Sequence, residues 1–201
     1  MKKLFFILFL LSSSAVSFSQ TGDDVKLAMQ YMQNGEYDKA RDIYEKLYQD
    51  NSNLTNYKYL YNCLLTMQEY DDVEKLVRKQ IKKIPDNLNL YVDLGNSYKK
   101  QNNEEKKTGV FNTAISKIGD NRNQVVQLAN AFLGIDETEF AIAAYKRGKE
   151  IVEGSTFNQE LANLYYRTGN VKLSMQTYLD YLTEPDVNMQ TLYNALQRML
   201  D

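Results

Sequence analysis

The chain has 201 residues, 24 basic against 26 acidic side chains, one cysteine, no histidine, 9 glycines and 2 prolines. Without histidine it lacks the commonest general base and metal ligand, and a single cysteine removes thiolate-imidazole metal sites, Cys-His catalysis and any internal disulfide. A net charge of -2 gives no basic footprint for nucleic acid, and so little Gly and Pro favours helices over an all-β fold.

The first predicted element is a leader. Met1-Lys2-Lys3 precedes an apolar run from Leu4 to Leu11, and small and polar residues follow from Ser12 to Gln20. The order is that of a secretory signal peptide over residues 1–19 with cleavage after Ser19, and the run is too short for a span of about 20 apolar residues. The Gln after the small residues resembles signals of the Bacteroidetes type. Nothing of membrane length follows, so the mature chain is expected to be exported to the bacterial periplasm or cell envelope, with no transmembrane segment.

From residue 21 onward the sequence repeats itself at shifts of 33 or 34. One column reads Leu27, Leu60, Leu94, Leu128 and Leu161, and four residues on, one helical turn away, stands Tyr31, Leu64, Tyr98, Phe132 and Tyr165. Together they predict the buried stripe of a first helix. A later column, Tyr44, Val77, Phe111, Tyr145 and Tyr178, marks a second helix.

Between the two helices lie breaks at Asn34-Gly35, Gln68-Glu69, Asn102-Asn103, Gly134 to Glu137 and Gly169-Asn170. Gly35 and Gly169 suit the left-handed end of a helix and Asn102 tolerates it, whereas Gln68 predicts a wider or differently built turn. The second helices end at Asn51-Ser52-Asn53, Pro85-Asp86-Asn87, Gly119-Asp120-Asn121, Gly154-Ser155 and Pro185-Asp186. Both prolines therefore fall between repeats, where they interrupt no helix. Asp23 or Asp24 is expected to cap the first helix. Small residues, Ala28, Gly95, Ala129, Ala162, Ala40 and Ala141, stand where helices approach closely, and Lys107 in that column predicts a packed stem with an exposed ammonium.

These features resemble the tetratricopeptide repeat, a helix-turn-helix unit of about 34 residues. Leu27-Ala28 with Tyr31, then Gly35-x-Tyr37-x-x-Ala40 and Tyr44, carry the resemblance most fully. It implies an all-α, right-handed α-solenoid over residues 20–201, with repeats at 21–54, 55–87, 88–121, 122–154 and 155–187. Residues 188–201 form a terminal helix or part of a sixth repeat, open to self-assembly or to further repeats through 187–200.

The resemblance also implies a non-catalytic scaffold or adaptor for a protein or peptide, without cofactor or metal. Two alternatives stay open: the targeting module of a longer enzyme or sensor, or a structural subunit assembling through its last helix. First helices of such a solenoid line a concave groove, where the sequence places Met29, Asn62, Asn96, Asn130 and Asn163 in register. A side-chain amide both donates to and accepts from a peptide backbone, so the candidate peptide contacts are Asn62, Asn96, Asn130 and Asn163. Lys58, Lys99, Lys100, Gln127, Gln159, Tyr166 and Arg167 stand beside them. Asn in that column has a second reading, satisfaction by a neighbouring helix. The paired carboxylates Asp23-Asp24, Asp71-Asp72 and Glu104-Glu105 sit at helix starts, where they complement the dipole. The run Lys75, Arg78, Lys79, Lys82 and Lys83 reads as a solvated outer face, and Cys63 as a small buried hydrophobe.

Overall fold

The computed structural model describes residues 22–185 and 187–200; the expected leader over residues 1–19 lies outside them. Among the described residues all regular structure is helical. Helix α1 covers 22–33, followed by α2 (Tyr37–Asp50), α3 (Leu54–Thr66), α4 (Tyr70–Lys83), α5 (Asn89–Lys100) and α6 (Glu104–Ser116). Then come α7 (Arg122–Leu133), α8 (Thr138–Ile151), α9 (Asn158–Arg167), α10 (Val171–Tyr181) and α11 (Met189–Leu200). The chain divides into two compact bodies, one ending at Gln80 and the other beginning at Ile81, inside α4.

In the N-terminal body α2 packs on α3. In the C-terminal body α5 pairs with α6, α7 with α8 and α9 with α10, while α7 also rests on α5, α8 on α6, α9 on α8 and α11 on α10. No pair closes its own apolar stripe, so each completes its core on the next, as expected of a repeat array. The core of this body runs through Leu128, Phe132, Ala141, Tyr145, Phe157 and Leu161. At its centre Phe111 meets the edges of Phe132 and Phe140, each with ring centroids 4.9 Å apart.

Five turns share one hydrogen-bond pattern. The left-handed residue donates its N–H three residues back and the next residue donates five back, the Schellman closure of a helix end. Thus Gly35 N–H donates to Met32 O at 3.3 Å and Glu36 N–H to Tyr31 O at 2.9 Å. Gln68 to Leu65 (3.2 Å) with Glu69 to Leu64 (3.0 Å) repeats it, as do Asn102 to Lys99 with Asn103 to Tyr98. Asp136 to Leu133 with Glu137 to Phe132, and Gly169 to Tyr166 with Asn170 to Tyr165, complete the set. Each five-back acceptor is therefore the carbonyl of the Tyr/Leu/Phe column.

One expectation changes here. The turn at Gln68 is built like the others, with φ 61°, because two backbone hydrogen bonds hold its backbone in the left-handed conformation that a residue with a Cβ disfavours. In the fourth turn Gly134 keeps a helical φ of -65°, and Asp136 takes the left-handed position.

The residue after each left-handed position begins the second helix, and its identity decides what it does. Asn103 and Asn170 cap their own helices, accepting from Lys106 N–H at 3.1 Å and Leu173 N–H at 3.2 Å. Where the residue is Glu it pairs with a base instead: Glu36 with Lys39, Glu69 with Arg41, Glu137 with Lys99 and Lys107. The loops between repeats end on caps too, with Asn53, Asn121 and Asn188 accepting from Asn56, Gln124 and Thr191 N–H groups.

Three further corrections concern burial and capping. Leu27 is 41% exposed although Leu60, Leu94, Leu128 and Leu161 are buried, because no described helix precedes α1 to cover that face. The Lys107 ammonium is buried rather than solvated, held by Glu104 at 2.7 Å and Glu137 at 3.1 Å. Burial alone would lower its pKa, but hydrogen bonds to both carboxylates outweigh that and raise it. Asp23 and Asp24 lie inside the first turn of α1 rather than ahead of it, and Asp23 stands 3.7 Å from Lys26.

Candidate peptide-binding face

The face opposite the buried stripe follows from helix geometry. Asn96, Asn130 and Asn163 each stand two residues after a buried leucine, about 200° around the helix, so burial of Leu94, Leu128 and Leu161 turns the amides outward. Asn130 is exposed, and Asn96 and Asn163 are half-buried. Asn62 occupies the same place on α3 in the N-terminal body, also exposed.

The structure sorts the candidates into held and open side chains. Asn163 is held on both sides, its Nδ2 donating to Gln159 O at 2.9 Å and its Oδ1 accepting from Tyr178 Oη at 2.8 Å. Lys99 donates to Ile135 O at 2.6 Å and pairs with Glu137 at 3.0 Å, so its charge is spent on the next turn. Tyr166 donates to Arg198 O on α11 at 2.5 Å. Lys99 and Tyr166 thus stitch one repeat to the next, and Asn163 ties α9 to α10 within its own repeat. Lys58 lies 5.8 Å from the Tyr57 ring centroid and 5.2 Å from that of Tyr61, and Asp93 on α5 is buried.

Open ground remains on α7, where Gln127 and Asn130 are exposed and take no partner among the described residues. Asn96 and Lys100 lie on the neighbouring α5, and Arg167 is exposed at the end of α9 with Gln159 half-buried at its start. Arg122 is the single charged residue of α7. Gln127 and Asn130 make the α7 part of this surface amide-rich, able to donate to and accept from a peptide backbone.

Two clusters escaped the sequence reading. In the C-terminal body a cavity of about 380 Å³ opens at the start of α9, lined by Arg122, Thr156, Phe157, Asn158, Glu160 and Glu184 among others. Its polar groups satisfy one another: Thr156 Oγ1 and Asn158 Nδ2 donate to Glu184 at 2.6 and 2.8 Å, Lys149 donates to Asn158 Oδ1 at 2.9 Å, and Arg122 pairs with Glu160 at 2.7 Å. In the N-terminal body Arg41 gathers Glu45, Glu69 and Asp72. Both link residues about 30 apart in the chain, beyond the reach of a local motif.

Among the described residues no group of three or more His, Cys, Asp or Glu side chains is arranged to hold a metal, and no helix is long and apolar enough to cross a membrane. Cys63 is buried, and burial pushes its thiol up to about 11, which keeps it protonated and unreactive at neutral pH. Of the basic run on α4, Lys75 pairs with Asp72 and Arg78 with Glu74.

No protein-family model matches the chain, and no curated protein matches it. Solved structures do. A thermophilic TPR protein of Thermus thermophilus, TTC0263, aligns with a TM-score of 0.42 and 16% identity over 90% of this chain and all of its own. MamA aligns with a TM-score of 0.41 and 15% identity over 89% of this chain and 92% of its own. A MamA from Desulfovibrio magneticus RS-1 aligns with 0.41 and 12% over 80% and 92%.

Proposed function

We propose that the chain is a non-catalytic scaffold that holds a peptide or protein segment on the exposed face of its first helices, and that it works as an exported protein of the bacterial periplasm or cell envelope. The observation that carries the first half is the open amide pair Gln127 and Asn130 on α7, set next to Asn96 on α5 and fixed by rigid helix pairs. Amides in such an array bind a backbone with little regard for side-chain sequence. The order of basic, apolar and small residues over 1–19 supports the second half.

A photo-crosslinking residue placed at Asn130 should form adducts with an envelope protein in the living cell, whereas one at Glu139, exposed on the second helix α8, should form none. The double variant Asn96→Ala/Asn130→Ala should keep its helical signal and lose those partners. Equal adducts from position 139, or unchanged capture by the double variant, would remove the face from consideration. Amino-terminal sequencing of the exported chain should begin at Gln20.

A further inference from the structure

Successive second helices leave a wedge between them, floored by the first helix that lies between the two in the chain. In the C-terminal body the wedge between α6 and α8 is closed by Phe140, whose ring centroid lies 4.9 Å from that of Phe111 and 5.7 Å from that of Phe132. Leu173, at the same place on α10, also packs on that core. Both stand five residues before the column of Val77, Tyr145 and Tyr178, and at that place α4 carries Asp72. A carboxylate does not enter an apolar wedge, so the one between α2 and α4 stays unfilled. A cavity of about 280 Å³ remains there, with the buried Leu60, Leu64 and Leu76 at its floor and Arg41, Glu45, Gln49 and Asp72 around it. An aromatic ring needs less, since a cavity of about 150 Å³ between apolar side chains takes up benzene.

Charge decides what such a ring comes with. Asp38, Arg41, Asp42, Glu45 and Gln49 fall within about 100° of one another around α2, and Lys39 and Lys46 lie beyond that arc. Glu45, Glu69 and Asp72 share the Arg41 guanidinium. The other cations on this side are Lys75, 3.0 Å from Asp72, and Lys79, 5.3 Å from the Tyr48 ring centroid. With the exposed Asp38 and Asp42, five carboxylates stand against three cations. Gln49 is exposed and takes no partner among the described residues. The mouth of the cavity therefore attracts positive charge.

We propose that this wedge takes an aromatic side chain from a partner segment in which lysines or arginines flank that residue. The ring occupies the place that Phe140 fills in the C-terminal body, and the flanking cations meet the surplus carboxylates of α2. One apolar anchor in a pocket with a charged rim is how a short segment gains most of its affinity. The site lies on second helices and uses none of the residues of the amide face.

The chain has no tryptophan, so the indole of the peptide acetyl-Lys-Lys-Trp-Lys-Lys-amide reports its own surroundings when titrated with the full-length chain. Its emission should shift to the blue and saturate, and acetyl-Glu-Glu-Trp-Glu-Glu-amide should show neither effect. Raising the salt from about 50 to 500 mM should weaken binding severalfold. Asp72→Phe, which gives α4 the residue that α8 carries, should keep the helical signal by circular dichroism and abolish the blue shift. Asp72→Asn removes the same charge but leaves the wedge open, so the shift at saturation should persist. Glu45→Lys, on the half-buried rim, should raise the dissociation constant at least about tenfold at low salt. Asn96→Ala/Asn130→Ala should bind as the wild type does. The proposal is overturned by a basic peptide that binds without a blue shift or not at all, by an acidic peptide that binds equally well, or by a folded Asp72→Phe variant that still shifts the emission. Loss of the shift in the Asn96→Ala/Asn130→Ala variant would assign the peptide to the amide face and overturn it as well.

Discussion

A left-handed backbone costs a residue with a Cβ about 1 kcal/mol or more, so the five turn residues do not hold their positions on equal terms. Gly35 and Gly169 take it without steric cost, and Asn102 and Asp136 are the side chains that tolerate it best. Gln68 has neither advantage. Its exposed side chain makes no contact that a replacement would lose, and the hydrogen bonds that close the turn are made by the backbone. Gln68→Gly should therefore stabilise the chain by about 1 kcal/mol, less the added freedom of the unfolded glycine, read as a higher urea midpoint at unchanged slope. A lower midpoint would mean that the turn opens in solution. Phe157, with φ 52°, differs because the strain has a visible return: the ring is 1% exposed, 5.5 Å from Tyr145 and capped by the Arg122 guanidinium at 4.6 Å. Its occurrence just ahead of α9 follows from that burial.

Helices and their stripes were legible because a 34-residue period repeats each buried position, so Leu60, Leu94, Leu128 and Leu161 identify one another. Side chains whose partners sit on another helix or turn were not. Lys107 reads as an exposed cation until Glu137, 30 residues on, is folded against it. Lys99, Tyr166 and Asn163 looked like one polar face with Asn130, but the following turn, α11 and Tyr178 claim them. The face that remains is smaller than the column suggested and centred on α7. Glycines inside helices show the same dependence on the neighbour. A Cβ at Gly95 on α5 would lie 2.0 Å from Cε1 of Phe111, a ring with no exposed surface to retreat into, whereas one at Gly109 on α6 would meet nothing within 4 Å. Gly95→Ala should thus cost about 2 kcal/mol or more even after its gain in helix propensity, and Gly109→Ala should stabilise by about 1 kcal/mol. Thermal melts of the two variants should move in opposite directions, and a shared direction would refute the α5–α6 packing.

Across the whole molecule, composition and burial together set the response to pH. No histidine means that no side chain with an ordinary pKa titrates between about pH 5 and 8, so stability should be nearly flat there. On the acid side, the hydrogen bond from Lys75, more than the nearby Arg41, holds the Asp72 carboxyl below its usual value, and its contribution is lost only as pH falls below about 4. The alkaline side is steeper. Burial raises Tyr44, Tyr48, Tyr145 and Tyr178, and pushes Cys63 up to about 11; Lys107 is raised by its carboxylates. Each group holds its proton more tightly folded than unfolded, so each contributes stability that is fully present below its unfolded pKa and lost as pH rises through the folded one. The thiol comes first, over roughly pH 8.5 to 11, and a shift of that size corresponds to about 3 kcal/mol. The melting midpoint should therefore begin to fall above about pH 8.5, well before the tyrosines ionise in the unfolded chain near pH 10. Cys63→Ala should have a lower midpoint at neutral pH, from the small space it leaves, yet a flatter course between pH 8.5 and 10. Parallel curves for the two proteins would show that the thiol is not sealed in the fold, and rapid alkylation of native Cys63 at pH 8 would show the same by a chemical route.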